Sequence, residues 1–311
     1  MNCELAALAA DQLGLKARDV CLSRIRTGKH NESCWVEAAG RRWVLRIAPA
    51  DETGLLFYER RMMRQEPALH ALIRERTTIP VAEIVAADFT RTKLDRDYLL
   101  MTALPGRPMS EARLGGAEVA TVLRQTGEHL RQLHSITAEA FGYLGAHRPM
   151  EPQPTWTAAF ELMWNKLVDD VVACGCYSGV EANGLRRALD RHRAVFDRDV
   201  AASLLHMDVW AQNILVDAQG RVTGLVDLDR ALWGDPEIEF AVLDYCGISD
   251  PPFWDGYGAE RDRSSEAETR RIFYLLYELQ KYMPISVWRR RDPARAAAYK
   301  RECLRLAAAL G

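Results

Sequence analysis

Long hydrophobic runs are what this 311-residue chain most plainly lacks. No stretch reaches the roughly 20 apolar residues that cross a bilayer as a helix, so a helical membrane protein is not expected. Charge of a single sign is missing too: 41 Lys and Arg stand against 43 Asp and Glu, for a net charge of −2. Neither half is basic, and the triplet Arg289-Arg290-Arg291 reads as a solvated surface, so nucleic acid is not an expected partner. Cysteine pairing is absent as a pattern. Seven cysteines, an odd number spread from Cys3 to Cys303, argue against a disulfide framework and for a reducing compartment. The close pair Cys174-Gly175-Cys176 has no second pair or nearby His at ligand spacing, so it is not expected to hold a metal. No basic segment precedes the apolar residues 5–10, which Asp11 interrupts, so no secretory signal is expected and a cytoplasmic location is. No obligate protein partner is evident. What the composition does supply is 48% apolar residues, enough for a large core in one domain or two lobes.

The chemistry concentrates in residues 203–239, SLLHMDVWAQNILVDAQGRVTGLVDLDRALWGDPEIE. The apolar Leu204-Leu205 leads into His206-Met207-Asp208, Asn213 follows Asp208 by five positions, and a short β-branched run leads away. A turn at residues 217–220 and a second run ending at Asp227 predict a hairpin that returns Asp227 to the neighbourhood of Asp208 and Asn213. Phosphoryl transfer needs hard oxygen ligands for Mg²⁺ and a carboxylate that accepts a hydroxyl proton, because the work is positioning and charge neutralisation. Asp208 is accordingly the expected catalytic base, Asn213 and Asp227 the Mg²⁺ ligands, and His206 a support that fixes the loop by hydrogen bonding. Asp235, in Gly234-Asp235-Pro236, is expected to accept backbone N–H groups under this loop or to cap the next helix.

The full pattern, H-x-D-x-x-x-x-N followed by V-D-x-x-x-A-x-x-G-D-P, resembles the aminoglycoside phosphotransferase family, small-molecule relatives of the protein kinases. The resemblance covers nearly the whole chain and is nearest to the hygromycin B phosphotransferase branch, whose strand Val44-Leu45-Arg46 resembles. The chain departs from the pattern at Met207, where Gly is common, at Trp210, where a protein kinase carries Lys, and at Glu239-Phe240-Ala241, where Asp-Leu-Ala is common. The resemblance implies an α+β, two-lobed protein-kinase-like fold: a small antiparallel-sheet nucleotide lobe over residues 1–103 and a larger, mostly helical catalytic and substrate lobe over 104–311. It also implies ATP, with GTP possible, and Mg²⁺ as cofactors. The expected activity is ATP-dependent phosphorylation of a hydroxyl on a small molecule, foremost an aminoglycoside or related antibiotic. A kinase of a sugar, amino alcohol or fructosamine is the alternative, and a nucleotide-binding pseudokinase the alternative of another class.

In the first lobe, strands are expected at residues 20–25, 33–37 and 43–47, with Gly40 at a tight reversal, behind an N-terminal amphipathic helix. The loop from Arg26 to Ser33 is placed where the family covers the phosphates, which makes Gly28, Asn31 and Ser33 cofactor-binding candidates. Alternation on the third strand puts Val44 and Arg46 on one face, and Arg46 takes the phosphate-binding place where many kinases use Lys. Residues 55–64 and 66–74 read as helices; Glu66 is the expected partner of Arg46, with Glu59 as runner-up. A strand over 81–88 and another over 97–102 run into Ala103-Leu104-Pro105-Gly106. This is the expected hinge, where Met101, Thr102 and Leu104 meet the adenine through free backbone groups and apolar cover. Helices follow at 117–134, 156–172, 185–196, 237–245, 265–283 and 293–309. Asp250, Asp255, Glu260 and Glu278 are the acids that could line a pocket for a polycationic acceptor, although solvated helix faces are the stronger reading, since the sequence does not show that these acids converge.

Overall fold

In a computed structural model, which describes residues 2–26 and 30–310, α1 (Asn2–Leu13) lies across the back of a sheet formed by β1 (Cys21–Ile25), β2 (Glu32–Ala38) and β3 (Arg41–Ile47). The chain continues through α2 (Glu66–Arg76), β4 (Ile84–Asp88) and β5 (Tyr98–Thr102), completing an antiparallel five-stranded sheet in the order β1-β2-β3-β5-β4. Ala39 and Gly40, both left-handed at φ 49° and 73°, make the two-residue turn whose twist suits a β2–β3 hairpin. Alternation then sorts the faces. Val36, Trp43, Leu45 and Ile47 pack with Leu5 and Ala9 of α1, while Val44 and Met101 turn to the opposite face. Fully burying side chains such as Leu45 and Ile47 is worth about 1.5–3 kcal/mol each, which pins β3 and with it Arg46.

Two sequence expectations fail in this lobe. Residues 55–64 form turns and a 3-10 segment (Met62–Gln65) rather than a helix, with Arg61 left-handed at φ 56°. Leu55, Leu56, Tyr58, Glu59, Met62 and Met63 are buried at a spacing a helix would also give, but the backbone is held otherwise: Leu56 N–H donates to Glu59, Phe57 N–H to Asp170, and the remaining bonds reach back three residues, so tertiary contact overrides the periodicity. The strand expected from residue 81 begins only at Ile84. Its approach is taken instead by Pro80, whose carbonyl accepts from Leu225 N–H at 3.0 Å.

After β5 come β6 (Arg107–Pro108), α3 (Gly116–His134), β7 (Thr137–Ala138), α4 (Trp156–Ala173) and α5 (Gly179–His192). The α5 helix starts six residues before its expected position of 185 because Ser178 and Glu181 form a capping box. Next are β8 (Ala202–Leu205), β9 (Ile214–Val216), β10 (Val222–Leu225) and β11 (Leu232–Gly234), which build two small sheets, β10-β9-β6 and β11-β8-β7. The chain closes with α6 (Pro236–Cys246), α7 (Pro251–Tyr257), α8 (Ser265–Gln280), a single turn α9 (Tyr282–Pro284), a π-helical stretch (Ile285–Arg290) and α10 (Pro293–Ala308). The aromatic stripes of α4 and α8, Phe160, Trp164, Phe273, Tyr274 and Tyr277, form one core, as their spacing implies. Among the described residues no helix is long and apolar enough to cross a membrane.

Candidate active site

The loop between β8 and β9 carries His206, Asp208 and Asn213, and its shape depends on a clamp around Met207. Met207 is fully buried and left-handed at φ 65°, a conformation disfavoured for a residue with a Cβ. Glu239 of α6 reaches under the loop and accepts the N–H of Met207 at 2.6 Å and of His206 at 3.2 Å. Its Oε2 also lies 2.8 Å from His134 Nε2. Burial alone pushes a carboxyl up, but these donors, His134 first, outweigh it and hold Glu239 below its usual range. From the other side Arg230 Nη1 donates to the Met207 carbonyl at 2.7 Å. His206 Nε2 lies 3.1 Å from the Val226 carbonyl; a carbonyl only accepts, so this nitrogen carries the proton and ties the loop to the end of β10. Asn213 Nδ2 donates to both the Asp208 carbonyl (2.9 Å) and its carboxylate (2.8 Å).

Across the β9–β10 hairpin, Val226 N–H bonds to the Asn213 carbonyl at 3.1 Å, and Asp227 follows in the left-handed region at φ 72°. Asp227 meets Arg46 Nη2 at 2.6 Å. Arg46, buried, also pairs with Glu66, whose side chain is fully buried, and with Asp229 at 3.1 Å. Glu59 instead accepts from Leu56 N–H and pairs with Arg289 at 2.8 Å. Asn31 donates to Asp229 at 3.1 Å, which fastens the loop before β2 to the catalytic hairpin. Burial first and Asp227 second push the Asp229 carboxyl well up. One guanidinium thus faces three carboxylates, leaving the cluster short of positive charge. Asp227, its side chain 40% exposed against 0% for Glu66 and 7% for Asp229, is the carboxylate open to a further cation. Because Asn213 spends its amide N–H groups on Asp208, its oxygen is left to act as a ligand. Among the described residues no three His, Cys, Asp or Glu converge as a complete metal cage. One carboxylate and one amide oxygen suit a Mg²⁺ that keeps several waters and takes phosphate oxygens.

Above this cluster Met101, Leu99, Ala82, Val44 and Leu104 form an apolar patch on the sheet face shared with Arg46. Thr102 N–H bonds to the Glu83 carbonyl at 2.9 Å and Ala103 N–H to the Arg42 carbonyl at 3.2 Å. These two hinge residues therefore do not offer the free N–H groups expected of them. Ser33 pairs in register with Arg46 across β2 and β3, and Gly28 lies outside the described residues. Linked to the same loop through Arg230, Glu278 is buried between Lys281 Nζ (2.5 Å) and Arg230 Nη1 (2.8 Å), and Tyr282 donates to it at 3.3 Å. Burial pushes the Asp208 carboxyl up, and Lys281 is the strongest charge opposing that.

Asp235 does not hold the catalytic loop. It caps α6 by accepting from Glu237 N–H at 3.0 Å and pairs with Arg198 at 2.6 Å; Glu239, four residues on, holds the loop instead. Sequence reasoning also missed Asp229, Arg230 and Lys281. The repeat Asp227-Leu228-Asp229 could have flagged the first and the i,i+3 spacing of Glu278 and Lys281 the last, whereas nothing local marks Arg230.

A sequence profile of the phosphotransferase enzyme family, APH, matches residues 22–274. A probable ketoamine kinase of Vibrio parahaemolyticus serotype O3:K6 is 23% identical over 269 residues, covering 82% of this chain and 83% of that protein. The probable ketoamine kinase YniA of Escherichia coli K12 is 25% identical over 218 residues, covering 68% and 70%. Among solved structures, apo aminoglycoside phosphotransferase APH(4)-Ia in a thermostable mutant form superposes with a TM-score of 0.68 at 19% identity, covering 98% of both chains. A ternary complex of that enzyme with AMP-PNP and hygromycin B gives 0.67 at 18%, again covering 98% of both. At these identities the structures speak for the fold, which is protein-kinase-like. With its profile matched across most of its length, the chain belongs to the phosphotransferase enzyme family, a small-molecule kinase.

Proposed function

We propose that this protein transfers the γ-phosphoryl group of ATP to a hydroxyl of a small, sugar-derived amine, with residues 1–103 as the nucleotide lobe and 104–311 as the catalytic lobe. The carrying observation is the convergence of Asp208, Asn213 and Asp227 at one end of the β9–β10 hairpin beside Arg46. Arg46, steadied by Glu66, binds phosphate oxygens; Asn31 belongs to the loop that covers them, Ser33 stands beside Arg46 at the start of β2, and Met101 and Leu104 pack on the adenine. Asn213 and Asp227 would hold a Mg²⁺, which when bound would supply charge neutralisation on the phosphates. Asp208 orients the acceptor hydroxyl and takes its proton as the new O–P bond forms and the bond to the ADP oxygen breaks.

The probable ketoamine kinases among the relatives support a ketoamine acceptor, and the likeness to APH(4)-Ia supports an aminoglycoside. Turnover is favoured over nucleotide binding alone because Arg46 keeps its Glu66 partner and the Met207 backbone is held on both sides. Release of ADP by the purified protein, followed across a panel of ketoamines, aminoglycosides and free sugars, tests the reading. Nucleotide binding with no product from any acceptor would overturn it.

A further inference from the structure

Resting on that kinase reading, we infer that His30 is a phosphate-binding residue, presenting its Nε2–H to the nucleotide, and that Arg289, from the other end of the chain, positions it. The arginine triplet expected on a solvated surface divides. Arg290 and Arg291 are exposed, but Arg289 turns inward with only 23% of its side chain exposed. It is carried by the π-helical stretch Ile285–Arg290, which ends at Arg291 in the left-handed region at φ 53°. Trp288 seats that stretch against Gly54, where an added Cβ would lie 2.7 Å from the Trp288 Cβ. Arg289 Nη2 then meets the buried Glu59 at 2.8 Å, and Nη1 lies 3.1 Å from His30 Nδ1.

A guanidinium N–H only donates, so His30 Nδ1 accepts and the ring proton sits on Nε2. Burial, foremost, holds the His30 pKa below its usual range, which keeps the ring neutral at physiological pH. Among the described residues nothing accepts from that Nε2–H. Asp227 and Arg46 both lie close enough to bear on the charge of His30, and the next residue, Asn31, is tied to Asp229. His30 therefore stands at the end of the site where the phosphates are proposed to bind. Arg46 is already shared among three carboxylates, so phosphate oxygens gain from a donor that is spent on none of them.

The test compares, by calorimetry, binding of AMP-PNP with Mg²⁺ and of adenosine, which has no phosphates. His30→Ala should weaken AMP-PNP by about tenfold, the scale of one hydrogen bond to a charged group, and leave adenosine unchanged. His30→Gln, which returns an N–H donor near the Nε2 position, should recover most of the loss. Arg289→Met should weaken AMP-PNP in the same selective way, and adding it to His30→Ala should cost nothing more, because the two act as a unit. Nitrogen NMR of the histidine rings should show His30 as the Nε2–H tautomer in the wild type, with that preference lost in Arg289→Met. Equal loss of AMP-PNP and adenosine affinity, no loss of either, additive losses in the double variant, or a wild-type ring protonated at Nδ1 overturns the inference while leaving the kinase reading intact. The His30 variants leave Arg289 its Glu59 partner, so they test the contact even if Arg289→Met does not fold. Failure of the wild type to bind AMP-PNP at all would overturn both.

Discussion

Arg46 shows how a single side chain is placed by forces from three directions. Its strand is pinned by apolar burial behind it, and its guanidinium is shared among Glu66, Asp227 and Asp229. Arg46→Met would strand two buried carboxylates, and loss of one partner from such a network costs about 3–5 kcal/mol, so chemical denaturation should show a large loss of stability as well as of nucleotide affinity. Asp208→Asn should leave nucleotide affinity near normal but lower kcat by about 10²–10⁴, the range for removal of a positioned base. An unchanged kcat would remove Asp208 from its role. Asp227→Ala should instead weaken Mg²⁺-nucleotide binding itself, read by calorimetry with and without Mg²⁺, because it deletes the one exposed carboxylate of the cluster.

At the level of elements, α6 serves the site through Glu239 and is itself started by Asp235. Burial, foremost, raises the Asp235 carboxyl from 3.8 to about 6. Its folded value lies above its unfolded one, so its contribution to stability is full below about pH 4 and is lost as pH rises through 6. Asp235→Asn, which keeps a capping oxygen, should flatten the wild-type fall in stability across that window, on the order of 3 kcal/mol by urea denaturation. An identical slope in both proteins would contradict this. The contact between α3 and α7 depends on Gly127 and Gly256: a Cβ on Gly256 would sit 1.9 Å from the Arg124 carbonyl oxygen. Gly256→Ala should therefore destabilise the protein by about 1–3 kcal/mol or more, visible in its thermal midpoint.

For the molecule as a whole, the proposed catalytic set is split between the two regions of the fold. Arg46, Glu66 and Asn31 come from the sheet-rich part, while Asp208, Asn213, Asp227 and Asp229 come from the hairpin loops that follow the long helices. Their coupling predicts that Mg²⁺ with a nonhydrolysable ATP analogue stabilises the protein globally, by about 2.7 kcal/mol at a hundredfold excess over Kd, and that Asp227→Ala removes most of this shift.

Much of this plan was legible before any coordinates. The β2–β3 reversal at Gly40, the helical spacing of α3 and α4, the hairpin returning Asp227 and the Arg46–Glu66 pair all follow from local periodicity or from the motif pattern, because strand alternation and turn chemistry act over a few residues. The turns at residues 55–64 did not, since their apolar spacing imitates a helix while Glu59 and the distant Asp170 take the backbone N–H groups of Leu56 and Phe57. Nor could the sequence decide that Glu239 rather than Asp235 holds the catalytic loop, or that Glu278 is neutralised by Arg230 and Lys281. The Glu239 and Arg230 pairings join residues 32 to 48 positions apart, whereas Lys281 lies three residues from Glu278. A charge's partner is fixed by where packing brings it, and only the tertiary structure decides that.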